Sequence, residues 1–177
     1  MDGSFGPEEY TTSEDGTIDL SKLPVGTYVV TELECPGYVV DDAQRIIHLD
    51  GGDQAQFVFT NSKLPSLHLY KESADGTPLG GVTYRLAKIE DGSRYLDRTT
   101  SSTGEICWEG LEPGVYSLIE TSTVSDHLLD TTEYHVELFP GQDSTVVLQN
   151  DKRPNLTVVK RLSLIHISEP TRQAEIS

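Results

Sequence analysis

The sequence predicts an all-β chain of tandem β-sandwich domains. Apolar residues alternate with polar ones over short runs (LHLYK, VTYRLAKI, EICWEGL, VYSLIE, EYHVELF, TVVLQN), the pattern of strands with one buried face. The turn signals ADG, EDG, STG, EPG and FPG separate these runs, and no window sustains a helical period. The chain also repeats itself. GTIDLSKLPVGTYVVTE from Gly16 aligns with GEICWEGLEPGVYSLIE from Gly104, so that Glu32 falls on Glu120 at an offset of 88. FVFTN ending at Asn61 falls on VVLQN ending at Asn150, and LHLYK ending at Lys71 falls on LTVVK ending at Lys160, both at an offset of 89. A period of that length is a whole small domain rather than a solenoid unit.

Taken in order, residues 1–63 read as the later part of one domain that lacks its first strands. Residues 64–152 read as a complete domain, and residues 153–161 as the first strand of a truncated third. The linkers KLPS and KRPN are short and each carries a Pro that stops strand pairing from running through, which predicts a stiff rod of domains. Residues 162–177 break the pattern. LSLIHISEPTR back-translates into a string resembling the adapter of transposase-based sequencing libraries, and QAEIS resembles an index and further adapter bases. This segment therefore reads as a non-native tail that carries no part of the fold. On that reading the natural protein continues past Arg161.

Composition narrows the function. The 177 residues carry 13 Lys and Arg against 29 Asp and Glu, a net charge of −16. So acidic a chain cannot neutralise phosphates in bulk, which argues against nucleic acid and against an anionic membrane surface. No stretch approaches the roughly 20 apolar residues of a membrane helix. The start, MDGSFGPEEY, has neither the basic nor the apolar region of a secretory signal. Two cysteines, Cys35 and Cys107, make no disulfide framework and read as free thiols. His48, His68, His127, His135 and His166 show no ligand spacing and read as surface or strand-face residues, so neither a metal nor a cofactor is expected. DGGD at Asp50–Asp53 reads as a hairpin turn, NLT at Asn155–Thr157 is a weak glycosylation sequon, and Trp108 reads as packing. No nucleophile–base motif or phosphate loop is present.

Strand parity singles out three polar residues. Side chains two apart share a face. Leu67 and Leu69 therefore share theirs with Lys71, Tyr116 and Leu118 with Glu120, and Val146 and Leu148 with Asn150. The first repeat supplies the same arrangement for Glu32 and Asn61, and the third piece supplies it for Lys160. A single inward Lys at a strand end snorkels to water. Three residue types recurring at matched positions instead predict groups that satisfy one another inside the core.

These motifs together (YKESADGTPLGGVTYRL, LPVGTYVVTELECPGY, LEPGVYSLIET, FVFTN and VVLQN) resemble tandem Cna-B-type domains, the SpaA-like, prealbumin-like modules of Gram-positive surface proteins and pilins. The resemblance covers nearly all of residues 1–161. It implies an immunoglobulin-like, prealbumin-like sandwich and an intramolecular isopeptide bond between the first-strand Lys and the last-strand Asn, assisted by an acid. Carried over, Lys71 is the amine, Asn150 the carboxamide and Glu120 the proton-handling acid. Glu32 and Asn61 are the partial domain's equivalents, and Lys160 is the next domain's lysine. Burial favours the neutral forms of amine and acid, and a neutral amine is a nucleophile. A protonated Glu120 is expected to polarise the Asn150 carbonyl and help ammonia leave. The reaction happens once per molecule, so the chain is not expected to be an enzyme.

The loop after Glu120, TSTVSDHLL, lacks the Pro-Gly-Tyr that follows Glu32 at Pro36–Tyr38, so that part of the resemblance is incomplete. The resemblance implies a structural stalk module of an extracellular, cell-wall-anchored adhesin or pilin. Its partners are the neighbouring repeat domains of the same protein, with host extracellular matrix reached through other domains. The alternative is a ligand-binding adhesin domain for a host matrix protein or glycan. That reading predicts long inserted loops or an exposed aromatic patch, and neither is evident in the sequence.

Overall fold

The computed structural model describes residues 6–40, 44–90, 92 and 94–161, so the adapter-like segment 162–177 lies outside the described residues. The chain divides into two compact units, Met1–Leu64 and Pro65–Ser177. All regular structure among the described residues is β, which bears out the all-β expectation.

In the first unit, β1 (Gly26–Val30) pairs antiparallel with β3 (Arg45–Leu49), and β2 (Tyr38–Val39) with β4 (Ser62–Lys63). The Asp50–Asp53 segment is a turn, closed by the Asp53 amide on the Asp50 carbonyl at 3.1 Å. FVFTN departs from expectation. Phe57, Phe59 and Asn61 are half-buried and Val58 and Thr60 exposed, so the alternation holds, yet residues 57–61 form no strand. A strand is defined by its ladder, and no strand precedes β1 among the described residues to supply one.

The second unit is a sandwich of two sheets. One has the order β10–β9–β6–β7, built from β6 (Thr83–Lys88), β7 (Tyr95–Thr99), β9 (Gly114–Ser122) and β10 (Glu133–Leu138). The other has the order β11–β5–β8, built from β5 (Ser66–Ser73), β8 (Glu105–Trp108) and β11 (Asp143–Asn150). Leu67, Leu69, Ile106, Trp108 and Leu148 of the smaller sheet face Tyr84, Leu86, Tyr116, Leu118 and Leu138 of the larger, and all are buried. Each inward set keeps the period of two read from the sequence.

Two features fix the polar end of this core. First, β5 and β11, the first and last strands, pair in parallel, with Lys71 opposite Leu148 and Ser73 opposite Asn150. Both therefore end at the same edge of the sandwich. Second, the β6–β9 ladder shifts register between Thr83 and Tyr84, so that Thr83 faces Ser122 while Tyr84 faces Glu120. The bulge leaves Thr121 over and re-aims the strand end at the point where Glu120 must turn inward.

Residues 153–161 differ from the expected strand. They form none, and every residue is exposed. The segment has the alternation of a strand but nothing to pair with, and alternation alone does not hold an extended backbone.

Candidate functional site

Lys71, Glu120 and Asn150 meet at the polar end of the second unit's core. They are 0%, 4% and 3% exposed respectively. Lys71 is held by its backbone. Its amide donates to the Gly104 carbonyl at 2.7 Å, and its carbonyl accepts from the Leu79 amide at 2.8 Å. A Cβ on Gly104, whose φ is +76°, would stand 2.3 Å from the Lys71 oxygen. Only glycine permits that approach and that backbone conformation together.

Glu120 bridges the other two residues from the facing sheet. Its Oε2 lies 3.0 Å from Lys71 Nζ, and its Oε1 accepts from Asn150 Nδ2 at 2.7 Å. The Lys71 contact is close enough for an ion pair, and Nζ makes no hydrogen bond. Asn150 Nδ2 also donates to Thr123 Oγ1 at 3.0 Å, while Asn150 Oδ1 is buried without a partner. Sequence reasoning expected Glu120 to address the Asn150 carbonyl. Here Glu120 Oε1 faces the amide nitrogen instead, since a carboxyl oxygen accepts and Nδ2 is the donor.

Tyr84 completes the arrangement. Its hydroxyl donates to Glu120 Oε2 at 2.9 Å, and Lys71 Nζ lies 5.4 Å from its ring centroid. Burial, followed by the charge of Glu120 and the hydrogen bond to it, holds the Tyr84 phenol far above the usual phenol range. It therefore stays a donor. Asp130, which accepts from Tyr134 at 2.7 Å, lies behind. Burial pushes its carboxyl up, but bonds from Thr132 and Tyr134 outweigh that and hold it below the usual range.

The first unit contains half of the same site. Asn61 Nδ2 donates to Glu32 Oε1 at 2.6 Å, and Glu32 Oε2 is buried without a hydrogen-bond partner. Lys160 is exposed and lies in no such cluster.

A family model described as the SpaA prealbumin-like fold domain matches residues 2–63 and, again, residues 65–152. The chain belongs to this family. No curated protein matches it. Among solved structures it is similar to the Bacillus anthracis TIE protein, at 23% identity and a TM-score of 0.51, over 80% of this chain and 28% of that one. It is also similar to GBS52, the minor pilin of Streptococcus agalactiae, at 23% identity and a TM-score of 0.48, over 85% and 70% of the two chains. The major pilin SpaD of Corynebacterium diphtheriae matches at 20% identity and a TM-score of 0.42, over 49% and 30%. These are likenesses of fold, and the chain spans less than a third of the TIE protein and of SpaD.

Within this SpaA-type domain, three contributors escaped sequence reading. Tyr84 was signalled by parity, since it shares a face with Leu86 in VTYRL. Thr123 and His127 carried no signal, because both follow the end of β9 in irregular chain. His127 corrects an expectation. It is buried rather than on the surface, with Nδ1 2.9 Å from Asp126 Oδ1 and Nε2 3.0 Å from Ser73 Oγ. Cys35 and Cys107 are free thiols, and Cys107 Sγ lies 3.7 Å from His68 Nε2. Among the described residues no set of three or more His, Cys, Asp or Glu is arranged to hold a metal ion, and no helix is long and apolar enough to cross a membrane.

Proposed function

We propose that the chain is a stalk segment of a Gram-positive cell-surface adhesin or pilin, and that its second unit closes an isopeptide bond between Lys71 and Asn150. The observation that carries this reading is the pair of unsatisfied atoms in the buried cluster. Lys71 Nζ and Asn150 Oδ1 are both buried with no hydrogen-bond partner, beside one carboxylate that touches both residues. A buried polar group left unpaired costs about 1–3 kcal/mol. Condensation of amine and carboxamide would relieve the lysine ammonium of its charge.

The chemistry balances within the cluster. Glu120 Oε2 takes a proton from Lys71 Nζ, leaving a neutral amine and a neutral acid, which an apolar core holds more cheaply than a pair of ions. The amine nitrogen attacks Asn150 Cγ. The bonded nitrogen sheds its second proton as Glu120 relays both protons to Nδ2, and the C–N bond breaks, so that Nδ2 leaves as ammonium (ammonia plus the proton the lysine brought) and the neutral Lys71–Asn150 amide remains. The fold supplies the proximity that an unreactive carboxamide needs. The event occurs once per molecule, so the chain turns over no substrate.

The parallel pairing of β5 with β11 gives the bond a mechanical meaning. Tension entering at β5 and leaving at β11 would cross through the new amide, and residues 72–149 would lie off the load path. That suits a module working outside the cell, anchored to the wall, with neighbouring domains of the same protein as its partners.

Intact mass spectrometry of the whole chain tests the reading. One ammonia should be missing, with a Lys71–Asn150 crosslinked peptide after digestion, and Glu120→Ala should restore the full mass. An unmodified wild-type mass after prolonged incubation would end it.

A further inference from the structure

A second site lies toward the other end of the same sandwich. Four residues along β6 from Tyr84, Lys88 stands opposite Tyr116 of β9. Here a cleft of about 350 Å³ opens, walled by residues that include Leu96, Trp108 and Leu111. Lys88, Arg94 and Arg98 also line it. Leu86 pairs with Leu96 and Tyr84 with Arg98 across the β6–β7 ladder, so Arg98 shares the inward parity of Leu96, while Arg94 lines the cleft from the exposed residue just before β7. Three of the 13 cations of a chain with net charge −16 line this one concavity, against two carboxylates, Glu109 and Glu112.

Their commitments are partial. Arg98 donates one guanidinium N–H to the Cys107 carbonyl at 2.8 Å, which holds the group over β8. Lys88 pairs with Glu112 at 2.9 Å, though that carboxylate is 76% exposed. Arg94 has no ion-pair partner among the described residues. Trp108 is also among the lining residues. Trp108 is 1% exposed, and its indole N–H is buried with no acceptor. A native core rarely leaves such a donor unmade.

We propose that this cleft binds a small carboxylate with a ring-shaped or apolar body. Arg94 and Arg98 would take the carboxylate oxygens, as guanidinium groups do best. An acceptor reaching inward would complete the Trp108 N–H, and Leu96 and Leu111 would contact the body. The site is separate from the Lys71 cluster, so the proposal stands whether or not the isopeptide bond forms.

Trp108 is the only tryptophan of the chain, so its fluorescence reports this site directly. The whole chain is titrated with benzoate, glucuronate and N-acetylphenylalanine, which separate an aromatic acid, a sugar acid and a peptide terminus as the source of the carboxylate. Benzamide serves as the neutral control. The expected result is a saturable change in Trp108 emission with at least one acid, accompanied by a shift of the indole N–H resonance, and none with benzamide. Arg94→Gln with Arg98→Gln should weaken it by about tenfold or more, as loss of charge-assisted bonds requires. Arg94→Gln alone, at an exposed position without an ion pair among the described residues, guards against loss of fold and should weaken it in the same direction. The proposal is overturned by non-saturable quenching with all three acids, by an equal response to benzamide, or by unchanged affinity in the double variant.

Discussion

Asn150 turns its amide nitrogen toward Glu120, with Nδ2 2.7 Å from Oε1 and 3.0 Å from Thr123 Oγ1. The leaving group of the proposed reaction thus already rests against the acid that must protonate it. The other oxygen of the same carboxylate lies 3.0 Å from the attacking amine. One side chain from the facing sheet can therefore remove a proton at one oxygen and deliver one at the other.

Replacing Glu120 separates chemistry from packing. Glu120→Gln keeps the shape and an acceptor for Asn150, but leaves the Lys71 ammonium buried and uncompensated. The crosslink should fail, and stability should fall by about 3–5 kcal/mol in urea unfolding relative to wild type that has not yet crosslinked, the cost of breaking a buried pair from one side. Adding Lys71→Met should recover much of that stability while the mass stays full. If the double variant is no more stable than the single one, the orphaned charge is not the cause.

Tyr84→Phe removes the hydroxyl donor to Glu120 Oε2 and keeps the ring beside Lys71. Loss of that bond should cost about 1–3 kcal/mol and slow the appearance of the ammonia-deficient mass. The pH dependence follows from the raised phenol. An unfolded tyrosine titrates near ~10. The folded state therefore binds more protons than the unfolded state above that pH. The Tyr84 contribution is fully present below ~10 and declines as pH climbs beyond it, at about 1.4 kcal/mol per unit. Alkaline unfolding of wild type and Tyr84→Phe should converge, and parallel curves would contradict this.

The half-site of the first unit sets a count. Asn61 and Glu32 reproduce the carboxamide–acid contact, but among the described residues no amine pairs with Glu32. The whole chain should therefore lose one ammonia rather than two. Asn61→Ala should leave that loss intact and Asn150→Ala should abolish it. A second missing ammonia, sensitive to Asn61→Ala, would show an amine reaching the first unit.

Parity made the central cluster legible, because a period of two carries over from sequence to sandwich wherever a strand has a partner. Lys71, Glu120 and Asn150 all sit inside paired strands, and each is buried as its apolar neighbours are. The same signal was available for Tyr84 but needed the bulge at Thr83/Tyr84 to become a contact with Glu120. Where pairing fails, pattern is not enough. Residues 57–61 and 153–161 alternate as strands do and form none. Thr123 and His127 were illegible for the opposite reason, since irregular chain has no period and its burial depends on segments distant in sequence. The orientation of the Asn150 amide is likewise a property of the assembled cluster, set by which neighbours can accept.

His127 should govern the order of the segment that carries Thr123. A carboxylate only accepts, so Nδ1 of His127 carries a proton toward Asp126, and Nε2 shares a hydrogen bond with the Ser73 hydroxyl. That bond joins the loop after β9 to the end of β5. Backbone bonds extend the same attachment, from the Leu128 amide to the Asp151 carbonyl at 2.9 Å and from the Arg153 amide to the Asp126 carbonyl at 2.8 Å. His127→Ala leaves the buried Ser73 hydroxyl without its hydrogen-bond partner and opens space beneath the loop, which should cost about 1–3 kcal/mol. The loss should be local. Hydrogen exchange should accelerate at the Leu128 and Arg153 amides while the Thr100 amide, bonded to the Val82 carbonyl at 2.8 Å in the core, keeps its protection. Because Thr123 begins the same segment and holds Asn150 Nδ2, the ammonia-deficient mass should also form more slowly. Unchanged exchange at Leu128 and Arg153 in His127→Ala would mean that the backbone bonds alone hold the loop, and that the Ser73–His127–Asp126 chain is a consequence of its position rather than a cause.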